Sequence, residues 1–485
     1  MQNTKLLQLL RTFDQSTISR WQQFAHSPYH NKHRDVRTLC NYLHKIYPKL
    51  EGKKIERKQL FLRVWGRIPF LQKKLNVLFT YTLSMTEDFL VHERFRQETD
   101  AQHIYLLEQL RQRQQQQRYE HHLQKIEKHW HTIPVRNRDY YHFQFRLAVE
   151  KDSYYNQLSQ HSDQSIQHKQ DSLDSFYLSE KLRDACEMSL RNQLLQVEYS
   201  VHLLEAILQE IRQYPERYQA IPSIMVYFQI YQMIDQQDST YYFELIQVLR
   251  NHATAFPKEE LRSIYAYAQN HCIGQINKGK GAFLGELFEL YKTQLQSDLL
   301  LEKGYLSEWH YKNIVTVGLR LKAFEWVAAF IEGYREKLPL QARDNAHRFN
   351  KAAYFYSIEE YGDVLQLLLT VEYSDIRYSL DAKSLLLKSY YDLEENETLF
   401  ALCDAFRQYL KRNKEISDFR KEGYYNLLKF TQKAARIRES IGFEAFEKLQ
   451  KEVDKLQAEI EAMETIFNVN WLKGKVEILK NDFVK

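Results

Sequence analysis

Glycine and proline are scarce, at 13 and 8 of 485 residues, against usual frequencies of about 7% and 5%. Both interrupt helices or shape tight turns. Their scarcity argues against a chain built mostly of short strands. Cysteine is nearly absent too. Cys40, Cys186, Cys272 and Cys403 lie far apart with no CxxC pair, which points away from a disulfide framework or a zinc knuckle and towards reduced thiols in a core. Long hydrophobic runs are missing as well. Gln8, Arg11 and Asp14 interrupt the apolar residues of the first segment, MQNTKLLQLLRTFDQ. The longest uncharged stretch, from Tyr218 to Ile234, contains Gln219, Pro222, Ser223, Gln229 and Gln232 and falls short of the roughly 20 apolar residues of a membrane span. The expectation is a cytoplasmic protein with no membrane association.

Catalytic signatures are also missing. GQINKGKG, 274–281, matches a phosphate-binding loop as far as Lys280, but Gly281 stands where a Ser or Thr hydroxyl would hold magnesium. SIYAYAQNHCI before it reads as helix rather than buried strand, so a hairpin turn is expected there. His121, His122, His129 and His131 crowd one stretch, yet none is three or four residues from another, the spacing that aligns two imidazoles on a helix face. No nucleophile motif appears, and the carboxylates lie among lysines without singling out an acid and base. No enzyme, metal site or cofactor is expected.

What is present suits burial: 44% of residues are hydrophobic and 14% aromatic. Charge is segregated. Residues 1–149 carry 26 Lys and Arg against 13 Asp and Glu, whereas the remainder carries 42 against 50. The excess is densest between Lys32 and Lys74, with 13 basic and 3 acidic residues interleaved with Tyr42, Tyr47, Phe61, Trp65 and Phe70. If Lys53, Lys54, Arg57, Lys58, Arg63, Lys73 and Lys74 converge, they would neutralise the phosphates of a nucleic acid. If they disperse, they form a solvated face.

Apolar residues recur at helical spacing along the whole chain. Short helices are expected over 1–95, with breaks at 26–31, 51–52 and 66–69. Longer ones follow over 96–215, where Leu173 to Ile211 reads as one long helix or two in near-continuity and Pro215 marks the end. QRQQQQR, 112–118, reads as a solvated helical face. Over 216–440 the elements pair. Pro257 and the acids after it read as a helix start, Lys303-Gly304 as a helix end, and Ser307 as the next N-cap.

YFYSIEEYGDVL, 354–365, explains the pairing. SYYDLEENETLF, 389–400, aligns with it at an offset of 35, placing Tyr391 on Tyr356 and Glu394-Glu395 on Glu359-Glu360. VGLRLKAFEWVA, 317–328, aligns at an offset of 37, placing Phe324 on Tyr361. Three units at nearly one period indicate a repeat whose polar break is the turn of a helical hairpin.

The period, with Gly318, Ala352, Ala353, Tyr361, Val364, Leu368 and Pro339, resembles the tetratricopeptide repeat, most clearly over 305–413. Val364 and Leu399 stand where that family usually has Ala. The whole chain also resembles uncharacterised helical proteins of Bacteroidota-type bacteria, which implies no activity. The repeat resemblance implies an all-α fold, an α-solenoid of stacked hairpins with a peptide-binding groove lined by first helices. Groove positions would be Lys312, Asn313, Thr316, Arg320, Phe349, Asn350, Ser357 and Lys388, with Asn313 and Asn350 equivalent.

Finally, Phe446, Leu449, Val453, Leu456, Ile460, Met463 and Phe467 alternate at spacings of 3 and 4 within 441–485. This amphipathic seam suits a helix that caps the last repeat or a coiled coil that pairs two chains as a homodimer. Two functions remain open: a non-catalytic scaffold that binds a peptide or partner protein in a helical groove, or a nucleic-acid binder using the basic N-terminal region.

Overall fold

A computed structural model describes residues 4–158, 163–195, 198–369 and 375–482. Helix makes up 79% of the described residues, and the fold is all-α. Two compact units divide it, Met1–Ala185 with Val201–Met225, and Cys186–Ser200 with Val226–Lys485.

In the first unit, helices Lys5–Leu10, Gln15–His26, Arg34–Ile46 and Arg57–Trp65 gather with the long helix Gln72–Gln97 around Leu7, Ile18, Trp21, Leu39, Phe61 and Leu75. The buried Trp21 indole donates to Thr86 Oγ1 at 2.9 Å, which keeps its one polar group satisfied. A second core joins Thr99–Gln112, Gln116–Thr132 and Arg138–Gln157 through Leu107, Leu123, Ile126, Trp130 and Phe143. There Arg111 grips the buried Glu150 with two bonds, at 2.8 and 3.0 Å.

The glutamine-rich tract is not continuous helix. Gln114 adopts φ 55°, and Gln115 N–H donates to Leu110 O at 2.9 Å, which ends one helix and turns the chain into the next. Over 173–211 there are two helices, Asp163–Leu195 and Leu204–Gln213, with Leu203 at φ 66° between them. Pro215 opens the short helix Pro215–Tyr218, where its missing N–H costs nothing.

In the second unit consecutive helices pair through short links: Lys258–Asn277 with Phe283–Gln296, Glu308–Arg320 with Phe324–Gly333, Arg343–Ser357 with Tyr361–Leu368, Ile376–Asp392 with Asn396–Arg412, and Asp418–Glu439 with Phe446–Glu461. GQINKGKG ends the helix Lys258–Asn277 and, from Lys278 to Gly281, forms most of the first of these links, with Gly279 at φ 85°; helix rather than strand precedes it. Four of these links end the first helix alike: in the first, Lys280 N–H reaches back to Gln275 O at 3.0 Å after Gly279, and three later ones repeat this at non-glycine residues. Lys322, Glu359 and Glu394 sit at φ 57°, 66° and 61°, and after each the next N–H reaches back five residues, Ala323 to Gly318 O, Glu360 to Phe355 O and Glu395 to Tyr390 O, all at 3.0 Å. This is the Schellman ending, repeated at the 37- and 35-residue offsets of the alignment. The buried positions keep the same spacing: Val327, Val364 and Leu399, then Ile331, Leu368 and Cys403.

Gly318 has a packing reason as well. A Cβ there would lie 2.5 Å from Val327 Cγ2, so only glycine allows this approach of the paired helices.

Lys303-Gly304 is not a helix end. Both residues have positive φ, 51° and 85°, in a two-residue turn that joins the paired strands Leu301–Glu302 and Tyr305–Leu306. Ser307 does cap the following helix, accepting from His310 N–H at 3.2 Å.

The C-terminal seam is not one helix: Phe446–Glu461 carries Phe446 to Ile460, Met463 and Phe467 lie in the link after it, and Val469–Asp482 is a separate helix. Asn426 Nδ2 donates to Thr465 O at 2.9 Å, and Phe467 packs onto Gly423, where a Cβ would be 2.7 Å from its ring. Leu449, Val453, Leu456 and Ile460 are buried by Asp418–Glu439 and Val469–Asp482.

Candidate functional site

First helices of adjacent hairpins touch: Glu308–Arg320 meets Arg343–Ser357, which meets Ile376–Asp392. On the last of these, Asp381, Lys388 and Asp392 are spaced 7 and 4 apart, so they fall within about 40° of one another around the axis. They form a charged stripe along this helix.

One end of the stripe meets Lys312. Its ammonium pairs with Asp381 and lies 5.3 Å from the ring centres of Phe349 and Tyr378 and 5.7 Å from Trp309. Arg377 stacks on the Trp309 ring at 3.8 Å. Aromatic faces attract such cations by about 0.5–2 kcal/mol each, more as water is excluded. The Tyr378 hydroxyl donates to Glu308 O at 3.0 Å, which ties the first and third of these helices together. Burial pushes this phenol well up, so it stays protonated and donates.

The other end meets the last helix. The Tyr356 hydroxyl donates to Asp392 Oδ2 at 2.6 Å and accepts from Trp471 Nε1 at 2.8 Å. Lys475 holds the other oxygen of Asp392 at 2.6 Å, and the Asp392 side chain is only 6% exposed. Lys388 lies between the two ends, 5.8 Å from the Tyr356 ring centre and 5.9 Å from that of Trp471. Burial pushes its amine down to about 8, and the attraction of Asp381 and Asp392 opposes this.

Of the groove residues expected from sequence, the structure thus brings together Lys312 and Phe349, and it places Lys388 on the same stripe. Asn313, Thr316 and Arg320 are exposed on their helix; Asn313 lies beside the Tyr291 hydroxyl, and Thr316 is bonded to Lys312 O at 2.8 Å. Asn350 is 1% exposed and gives its amide to Ala346 O, and Ser357 bonds back to Ala353 O. The two equivalent asparagines therefore do not make a matched accessible pair. Sequence reasoning missed Trp309, Tyr378, Asp381, Trp471 and Lys475. The 7-and-4 charge spacing was a signal for Asp381, whereas Trp471 and Lys475 arrive from a remote helix.

The basic residues of the first unit are distributed differently. Lys53 and Lys54 lie on the turn Gly52–Ile55, Arg57, Lys58 and Arg63 on Arg57–Trp65, and Lys73 and Lys74 at the start of Gln72–Gln97. All but Arg57 are exposed. Arg63 lies 5.6 Å from the Tyr42 ring centre and Lys74 4.6 Å from that of Trp65. At about 100° per residue, Arg57, Lys58 and Arg63 point in three directions roughly 100° to 140° apart.

No helix among the described residues is long and apolar enough to cross a membrane. No family model, curated protein or solved structure matches the chain.

Proposed function

We propose that the second unit is a tetratricopeptide-like α-solenoid and that the chain is a non-catalytic scaffold binding a peptide or partner protein along its first helices. The observation that carries this is the recurrence of one turn geometry at Lys322, Glu359 and Glu394, with first helices of neighbouring hairpins in contact. Identical turns at one period give hairpins a constant orientation, and stacked hairpins present their first helices as a continuous surface. Trp309, Tyr356 and Trp471, each partly exposed, give that surface aromatic area, which dominates contact energies where partners dock.

Site-specific photo-cross-linking tests the reading. A cross-linker at Thr316, exposed on a first helix, captures the partner, whereas one at Glu325, exposed on the second helix of the same hairpin, does not. Capture at Glu325 alone would overturn it.

The second reading is nucleic-acid binding by the first unit. It rests on Lys53, Lys54, Lys58, Lys73 and Lys74, which are exposed and form no ion pair among the described residues. The spread of Arg57, Lys58 and Arg63 around their helix weighs against it, because a phosphate backbone is followed by charges on one face. Affinity for a duplex that falls steeply with salt, and falls further in Lys53→Ala with Lys58→Ala, would establish it.

A further inference from the structure

The stripe on Ile376–Asp392 and its two flanking helices do not balance in charge. Lys312, Lys388 and Lys475 meet only Asp381 and Asp392. The outer lysines take both carboxylates, Lys312 on Asp381 and Lys475 on Asp392. Lys388, in the middle, forms no ion pair among the described residues. It rests against the rings of Tyr356 and Trp471, which are themselves fixed by the Trp471 to Tyr356 to Asp392 hydrogen bonds. Neither aspartate is free to turn towards it. Asp392 is held on one oxygen by Tyr356 and on the other by Lys475, and Asp381 is drawn towards the ring cluster at Lys312. The arrangement is one carboxylate short at its centre.

We infer that the groove takes an acidic side chain of a partner peptide, a Glu or Asp within an apolar or amide-rich segment, with Lys388 as its anchor. The inference rests on the reading of these helices as a peptide groove and adds the chemistry of what they recognise. The aromatic walls admit the methylene stem of the acid while its carboxylate reaches the ammonium. Asp381 and Asp392, about 10 Å and 6 Å away along the helix, repel further acids on either side. A single acid is therefore preferred over an acidic run. Charge linkage follows. An arriving carboxylate favours the protonated amine, so above pH 8 binding takes up a proton and affinity falls as pH rises.

Two pools of capped nonapeptides with randomised flanks, one with central Glu and one with central Gln, are passed over the full immobilised chain. Capping removes terminal carboxylates. The Glu pool is expected to be retained about tenfold better, in keeping with a charge-assisted bond. The preference disappears in Lys388→Met, persists in Lys388→Arg and declines as pH rises above 8. Burial disfavours the Lys388 charge, so Lys388→Met is expected to keep the fold, and circular dichroism of each variant checks this. Equal retention of the two pools would overturn the acidic anchor and leave the groove reading standing. A Glu preference that survives Lys388→Met would also overturn it, because the acid then binds elsewhere, as on the basic first unit. Retention of neither pool would overturn both.

Discussion

The Tyr356 hydroxyl and the Asp392 carboxylate meet at 2.6 Å, joining the first helix of one hairpin to the first helix of the next. The same hydroxyl accepts the Trp471 indole N–H, so one oxygen fastens three helices. Burial and the neighbouring carboxylate push this phenol far above its ordinary value, and it remains a donor at any physiological pH.

Tyr356→Phe removes the acceptor of Trp471 and one donor of Asp392 without changing the ring. Leaving buried polar groups unsatisfied costs about 1–3 kcal/mol. A thermal melt should show a lower Tm for Tyr356→Phe, while Thr316→Val, at an exposed position, leaves it within error.

Gly318→Ala puts a methyl 2.5 Å from Val327 Cγ2 and 3.2 Å from Phe288. Overpacking of this kind costs about 1–3 kcal/mol. Adding Val327→Ala makes room, so the double variant should be more stable than the sum of the two single losses. Strict additivity in denaturation midpoints would show that the two residues do not press on each other.

The all-α class was legible because helix breakers are few and the apolar spacing is 3.6-fold throughout. Hairpins over 305–413 were legible by alignment rather than by turn chemistry. Helices commonly end on glycine in the left-handed region, but here Gln114, Lys322, Glu359 and Glu394 occupy it, so single turns carried no mark. The glutamine tract read as helix for that reason. Lys303-Gly304 carried the right turn residues, but each strand beside it is two residues long, too short for alternation to show. At the candidate site, the 35- and 37-residue offsets singled out Lys312, Phe349 and Lys388, which the structure sets around one helix, although Phe349 is buried rather than open in a groove. Trp471 was not, because 115 positions separate it from Tyr356 and no local pattern encodes that approach.

The seam from Leu449 to Ile460 is covered within the chain, and this predicts how its loss behaves. Leu456→Ala, at a site 2% exposed, should cost about 2–5 kcal/mol. The Tm decrease should be independent of protein concentration, and the sedimentation coefficient of the folded variant should match the parent's. A concentration-dependent loss would mean that the seam joins two chains.

Lys388 supplies a pH prediction. Its amine is held at about 8 against an ordinary 10.5. Below pH 8 folded and unfolded chains both carry the proton, and the cost of burying it is constant. Between 8 and 10.5 the unfolded chain holds more protons, so the stability contribution rises with pH. Lys388→Met should therefore raise Tm at pH 7, and its margin over the parent should narrow from pH 8 to 10.5. A margin that is flat across that range would show that the amine titrates alike in both states.

The ring that covers Lys388 comes from Val469–Asp482, two hairpins further along than the lysine's own first helix. A chain emerging from the ribosome would thus carry this amine with only the Tyr356 ring beside it before Trp471 had been synthesised. Tyr356 and Asp392 would be made by then. Tyr356 would lack the indole donor and Asp392 its lysine. This cluster of rings and charges is finished last, by tertiary closure of a late-made helix, and a polypeptide arrested before residue 469 would carry all five helical hairpins without it.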